Sequence, residues 1–294
     1  MARLAHISDV HITASRLGMR LRDWWTKRPA SWLNLRLFGR GRAFRYADQV
    51  LEVWREEIVA RGIDRVIFSG DATSMGFPSE LQRAADLLGA TRGLPGIAVP
   101  GNHDYGTRKA AASGDFERCF EPWLDGQRIE DHTYPFAQKI GDVWFIGLNS
   151  AKGNVWYWDA SGRVGETQLE RLRKLLADLP AGPRIIVTHY PLFLADGKPE
   201  HRAHGLRDAA AVIKVAAEGG VKLWLHGHRH GFYWFENLPG VPFAMICAGS
   251  GTQSGLWSYL EYDLEGTKIQ GRRRIYDADK NAFQDADGFS VRLD

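Results

Sequence analysis

Cysteine is nearly absent from this chain of 294 residues: only Cys119 and Cys247 occur, far apart in the sequence. Two thiols cannot form a disulfide framework, and they read as a buried, reduced pair in a cytoplasmic protein. No run of 18 uncharged apolar residues exists, which excludes a membrane-spanning helix, and the start MARLAHISDV develops no apolar signal core. Repeats of 20 to 50 residues, low-complexity tracts and Pro/Gly/Ser linkers are also missing, so neither a solenoid nor a linker-divided chain is expected. Excess charge is scarce too. The net +3 from 38 basic and 35 acidic residues does not by itself argue for a nucleic-acid partner, and none is expected.

What is present reads as an α/β chain. Apolar runs at 4–8, 65–69, 96–99, 143–148, 184–188 and 221–225 predict short buried strands. Between them, helical spacing predicts helices around Val50 to Ile58 and over 80–91, 166–179 and 207–218. Beyond residue 231 only strands are expected, at 232–235, 243–247, 256–262 and 268–275. The pattern predicts two stacked mixed β-sheets flanked by helices, within one domain over 1–276. The Asp- and Gly-containing stretch 277–294 is expected to be a tail or an edge segment.

Polar clusters sit just past the predicted strand ends, where open α/β sheets place ligands. They are Asp9-Val10-His11, Gly70-Asp71, Gly101-Asn102-His103-Asp104, Thr188-His189 and Gly227-His228-Arg229-His230, with Asn149-Ser150 a weaker sixth. Singly, an aspartate after a strand reads as a helix N-cap and an Asn-His or His-Gly pair as a turn. Together they offer two aspartates, four histidines and an asparagine, an oxygen and nitrogen set suited to first-row divalent ions. That is more than one ion needs, so two ions about 3.5 to 4 Å apart are expected, with Asp71 as the natural bridge. The glycines at 70, 101 and 227 are expected to allow tight turns.

The ordered motifs D-x-H, GD, GNHD, an isolated His and G-H-x-H, spanning residues 9 to 230, resemble the calcineurin-like metallophosphoesterase superfamily. The resemblance implies the four-layer αββα fold of that family. It implies that Asp9, His11, Asp71 and His230 hold one metal, and that Asp71, Asn102, His189 and His228 hold the other. The ions implied are Mn, Fe or Zn. His103 matches the family histidine that protonates the leaving group or stabilises phosphoryl charge, and Asp104 is expected to orient it. Asn102, His103 and Arg229 are the expected substrate contacts, Arg229 through its bidentate fork. The implied reaction is hydrolysis of a phosphate ester, with a phosphodiester favoured, by direct attack of a metal-bound hydroxide. A scaffold with the same fold and no activity is the alternative. Arg229 stands where Thr is frequent and Tyr190 where a second His is frequent, and neither change removes a ligand.

Residues 14–45 hold nine basic side chains against the single acid Asp23. Leu17, Leu21, Trp24 and Trp25 are expected on one helical face, with Pro29 kinking the helix. This composition suits a helix lying on an anionic membrane surface, a patch for nucleic acid, or a cap packed over the catalytic mouth. The membrane reading brings in a lipid-linked substrate. It resembles the UDP-diacylglucosamine pyrophosphohydrolases, whose GN motif carries Arg where this chain has His103. Either way the segment should border the site. The expected location is cytoplasmic, with this stretch as the peripheral membrane contact.

Overall fold

The computed structural model describes residues 1–13, 21–26, 28–156 and 158–294, without the Arg22 side chain. Six strands form the first sheet, in the order Ala282–Arg292, Lys268–Asp277, Ser258–Glu265, Ala2–Ile7, Arg65–Phe68 and Gly96–Ala98. The last three run parallel, and the first three join antiparallel. The second sheet has seven strands. Its centre is parallel: Val143–Gly147, Arg184–Val187, Val221–His226 and Ala244–Cys247. Gln127–Arg128, Phe136–Ile140 and Tyr233–Phe235 close its two edges antiparallel. Two mixed sheets flanked by helices are thus observed.

Alternation along the strands separates the layers. Phe145, Ile185, Leu223 and Ile246 enter one core with Leu4, Ile7 and Phe68 of the first sheet. Their neighbours Trp144, Ile186, Trp224 and Met245 enter a second core with Leu172 and Val212 of helices Glu166–Asp178 and Ala209–Glu218. Helix Ala47–Ala60 buries Val50, Leu51, Trp54 and Ile58 at the expected three- and four-residue spacing. Strand ends on the parallel halves of both sheets therefore lie next to one another, and the polar clusters follow them.

Some expectations are corrected. The C-terminal stretch, expected as a tail or an edge segment, is not among them: it includes the edge strand Ala282–Arg292, which buries Phe289 and Val291. Pro29 does not kink a helix: it is the second residue of helix Arg28–Leu37, where no N–H is required. Before it, Leu21–Trp25 forms a 3₁₀ turn, and Leu17 with residues 14–20 and 27 lies outside the described residues. Cys247 is buried, but Cys119 is half-buried, so the thiols are not a buried pair. No helix among the described residues is long and apolar enough to cross a membrane.

Candidate metal centre

The first two strand ends are laced together by Asp9 N–H donating to the Gly70 carbonyl (2.9 Å) and Val10 N–H to that of Asp71 (3.0 Å). Immediately there the backbone leaves the extended region. Among the described residues seven non-glycine positions have positive φ, and five are expected ligands: Asp9 (52°), His11 (43°), Asp71 (59°), His228 (71°) and His230 (57°). A left-handed conformation costs on the order of 1–3 kcal/mol at such residues and persists where the surroundings impose it. Here it turns each side chain out of its strand line and into a common cleft.

Asp71 stands at the centre. Its Oδ2 lies 3.6 Å from His11 Nε2 and 3.4 Å from His189 Nε2. On one side, Asp9 Oδ1 is 3.2 Å from His230 Nε2 and 3.7 Å from His11 Nε2. On the other, Asn102 Oδ1 is 3.1 Å from His189 Nε2 and 2.9 Å from His228 Nδ1. The seven side chains thus form two donor sets that share one carboxylate. Asp9-His11-His230 and Asp9-Asp71-His189 each bring ligand atoms within 4.8 Å of one another, and so does His11-Asp71-His103.

The far side of most donors is fixed. His11 Nδ1 meets the Thr73 carbonyl at 3.0 Å and His189 Nδ1 that of Ser69 at 2.8 Å. His230 Nδ1 is held by Gln253 Oε1. His228 presents the opposite atom, with Nε2 3.5 Å from Glu200 Oε2. Backbone N–H groups of His228 and His103 donate to Asp9 Oδ2 (2.9 Å) and Asp71 Oδ1 (2.8 Å). These contacts aim one lone pair of each ligand inward, which is how outer partners orient metal ligands. Sequence reading missed Gln253, Glu200 and the carbonyls.

Two observations test whether cations fit. Asp9 Oδ1 is buried and accepts no well-directed hydrogen bond. And acceptor atoms confront one another across the cleft, with His11 Nε2 and His230 Nε2 only 3.2 Å apart. Mixed carboxylate, imidazole and amide donors without sulfur suit Mn, Fe or Zn. The residues present therefore fit a pair of divalent ions.

Protonation agrees. Burial works against the charges of Asp9 and Asp71, yet the neighbouring histidines hold both carboxyls well below their usual range. Burial, then His189, lowers His228 to about 3, and burial with Arg40 lowers His11. Burial opposes a proton on His189, but Asp71 overrides it and lifts the ring to about 9. Ionised carboxylates and neutral rings are the forms that bind metal. His11 and His228 are held neutral. At His189, and at His230, where burial opposes a proton but the Asp9 carboxylate overrides it and raises the pKa, a proton competes for the place of a cation.

His103 projects beside this centre. Its Nδ1 lies 2.9 Å from the Ser74 carbonyl, so Nε2 faces the cleft. Asp104 does not orient that ring. Its carboxylate instead accepts from Ala72 N (3.2 Å), Thr73 N (3.0 Å), Thr73 Oγ1 (3.1 Å) and Gly101 N (2.9 Å), bracing two loops together. Burial and then the Asp71 charge push its carboxyl up to about 7, against the pull of the backbone donors. Arg229 Nη1 lies 2.8 Å from Glu200 Oε1, so the expected anion contact already has a carboxylate partner. Ser150 Oγ is spent on Thr188 Oγ1 (2.8 Å) and the backbone at His189, giving the sixth cluster a structural part. His226 keeps its Nδ1 3.0 Å from the Gly227 carbonyl, apart from the donor sets.

Arg40, from the basic segment, was not singled out by any motif. Its Nη2 lies 3.0 Å from His103 Nε2. Two cavities meet at Arg40, Asn102, His103 and Ala160: one of about 560 Å³ under helix Arg28–Leu37, and one of about 440 Å³ over Asp71, His228 and His230.

Solved structures share this architecture. A dimetal phosphatase from Danio rerio is 14% identical, with a TM-score of 0.66 over 100% of this chain and 99% of that one. Purple acid phosphatase from yellow lupin seeds is also 14% identical, with a TM-score of 0.60 over 99% of this chain and 53% of that one. GAP50, the anchor in the inner membrane complex of Plasmodium, is 12% identical, with a TM-score of 0.55 over 100% and 89%. At these identities the likeness concerns the fold. No curated protein sequence matches the chain. The model of the calcineurin-like phosphoesterase family matches residues 2–232, from the first strand through the G-H-x-H motif, and the chain belongs to that family.

Proposed function

We propose that this protein is a dinuclear metal-dependent phosphodiesterase. The observation that carries the reading is the sharing of Asp71 Oδ2 between two donor sets, beside two cavities that meet at Asn102 and His103. Asp9, His11, Asp71 and His230 would hold one ion, and Asp71, Asn102, His189 and His228 the other. When bound, such ions offset the charge of a phosphate ester and lower the pKa of water from about 15.7 toward 7. Asn102 and His103 then border the phosphoryl group. With Nδ1 tied to the Ser74 carbonyl, His103 exchanges a proton only at Nε2, the atom facing the cleft. Burial, then Arg40, holds the ring well below its usual pKa, so Nε2 rests as an acceptor and gives the leaving oxygen a proton first taken from the attacking water. Asp104 keeps His103 and Asp71 in register. A diester has two arms on phosphorus, and the two cavities give each an exit.

Turnover of bis(p-nitrophenyl) phosphate with added Mn²⁺ tests this, set against p-nitrophenyl phosphate and the Asp71→Ala variant. The diester is the better substrate for wild type, and Asp71→Ala is inert. Equal, negligible turnover by both proteins removes the enzyme reading in favour of a scaffold.

A second reading concerns where the substrate sits. Leu21, Trp24 and Trp25 are 87%, 60% and 92% exposed, and Phe38, which lines the larger cavity, is 73% exposed. Trp156 and Trp158 stack at 5.1 Å just before Asp159 and Ala160 on the opposite wall. Aromatic side chains among arginines favour an anionic membrane interface and a lipid-linked ester. Wild type then pellets with anionic vesicles and a Trp24→Ala, Trp25→Ala double variant does not.

A further inference from the structure

Three arginines line the two cavities, and two of them are neutralised. Arg28 Nη1 is 2.7 Å from Asp23 Oδ1, with Nη2 donating to the Gly76 carbonyl at 2.8 Å, and Arg229 is paired with Glu200. Arg40 differs. Among the described residues it has no carboxylate within ion-pair distance, and its Nε is buried without a hydrogen-bond partner. Its Nη2 donates toward His103 Nε2 at 3.0 Å and lies 3.3 Å from both ring nitrogens of His11, which places the guanidinium over the face of that ring. A guanidinium with spare donors in a half-buried cleft is costly unless an anion completes it.

The chain places Arg40 there deliberately. Gly39, at φ 84°, reverses the backbone between helices Arg28–Leu37 and Arg40–Ala43, so Arg40 opens the second helix facing the cleft. The segment is pinned on its far side by Ser254 N–H donating to the Ala43 carbonyl at 2.6 Å. Phe44, buried, packs edge-on against His11 at 4.6 Å and closes the same contact. Arg40 is therefore held at the site through the hydrogen bond at Ala43 and the packing of Phe44, and stands where the two cavities meet.

We propose that Arg40 is an anion clamp carried into the site by helices Arg28–Leu37 and Arg40–Ala43, taking a non-bridging phosphoryl oxygen of the ester substrate. The proposal rests on the phosphoesterase reading above and adds a residue outside its motifs. Two divalent ions against the carboxylates of Asp9 and Asp71 leave the site cationic, and Arg40 deepens that field on the side away from Arg229. An oxygen of the substrate replaces the His103 lone pair as the acceptor for Nη2. His103 Nε2 is thereby released to face the leaving oxygen. The ligand class is a phosphate ester with at least one ionised oxygen, its organic arm running into the cavity under Leu33 and Phe38.

The test uses the Mn²⁺-loaded protein, with inorganic phosphate titrated by calorimetry into wild type, Arg40→Ala and Arg40→Lys. Turnover of bis(p-nitrophenyl) phosphate and metal content are measured on the same preparations. Loss of a charge-assisted pair weakens phosphate binding by about 10- to 100-fold in Arg40→Ala. Arg40→Lys falls between, because the charge returns without the fork. Metal content is unchanged, and added guanidinium ion restores part of the Arg40→Ala turnover. Unaltered phosphate affinity and turnover in Arg40→Ala overturn the clamp alone, and loss of metal from that variant overturns it too, making Arg40 a support for His11. A wild type that neither binds phosphate nor turns over the diester ends the phosphoesterase reading itself.

Discussion

Nε2 of His11 and Nε2 of His230 face each other at 3.2 Å, while Nδ1 of each ring is held by an acceptor, the Thr73 carbonyl and Gln253 Oε1. With both Nδ1 atoms carrying the proton, two lone pairs confront one another, and only a proton or a cation between them relieves the repulsion. Asp9 Oδ1, 3.2 Å from His230 Nε2, completes the same cage. Metal binding should therefore stabilise the fold: at 100 times the dissociation constant each ion adds about 2.7 kcal/mol. Thermal unfolding in Mn²⁺ and in EDTA checks this. Elemental analysis should find two ions per chain in wild type, fewer in His230→Ala and none in Asp71→Ala. Identical melting curves with metal and with chelator would sink the dinuclear proposal.

His103 invites a sharper experiment than loss of activity. Only its Nε2 reaches the cleft, so a role in protonating the leaving oxygen depends on what leaves. Nitrophenolate departs without a proton, whereas an alkoxide does not. His103→Asn should slow hydrolysis of an alkyl phosphodiester by about 10²- to 10⁴-fold and that of bis(p-nitrophenyl) phosphate far less. Equal losses on both esters would assign His103 to phosphoryl binding instead.

Gly101 is set by close approach. A Cβ there would lie 2.1 Å from Asp71 Oδ1 and 2.4 Å from Asp71 N. Gly101→Ala must displace the shared carboxylate, costing about 1–3 kcal/mol of stability and lowering metal content. Gly231→Ala is the control, since its nearest contact is at 3.9 Å. Urea denaturation and metal analysis of both variants decide the matter, and wild-type metal content in Gly101→Ala would refute it.

These sites differ in how far the sequence reveals them. The seven side chains that converge around Asp71 follow apolar strands closely and belong to the few residue types metal chemistry uses, so order and spacing pointed to them as a group. The carbonyls of Ser69, Thr73 and Ser74 carry no residue-type signal, because any side chain leaves the same backbone oxygen. Arg40 was hidden among nine basic residues, 63 positions from the histidine it meets. Adjacency misled for Asp104, whose carboxylate turns back to Gly101 N rather than out beside His103. The last strand stayed open between a tail and an edge segment because of its exposed Asp285-Ala286-Asp287-Gly288, although Phe283, Phe289 and Val291 carry the buried alternation on either side.

His6 makes the stability of the fold depend on pH from outside the donor sets. It is buried beneath the site, with Nδ1 2.9 Å from Tyr262 Oη and Nε2 2.9 Å from Ser69 Oγ. Burial, then the neighbouring His226, lowers its pKa to about 3 from an ordinary 6.5. A histidine whose folded pKa is depressed takes up its proton first in the unfolded chain. Its neutral form costs nothing above pH 6.5, and stability then falls as the pH drops from 6.5 toward 3. At about 1.4 kcal/mol per pH unit, the loss between pH 6.5 and 5 is about 2 kcal/mol. Urea unfolding of wild type and His6→Gln at pH 7 and pH 5 measures it. The variant is less stable at pH 7, because the Tyr262 and Ser69 hydroxyls lose their ring partner, yet it loses less on acidification. Equal losses in the two proteins would place the acid sensitivity elsewhere.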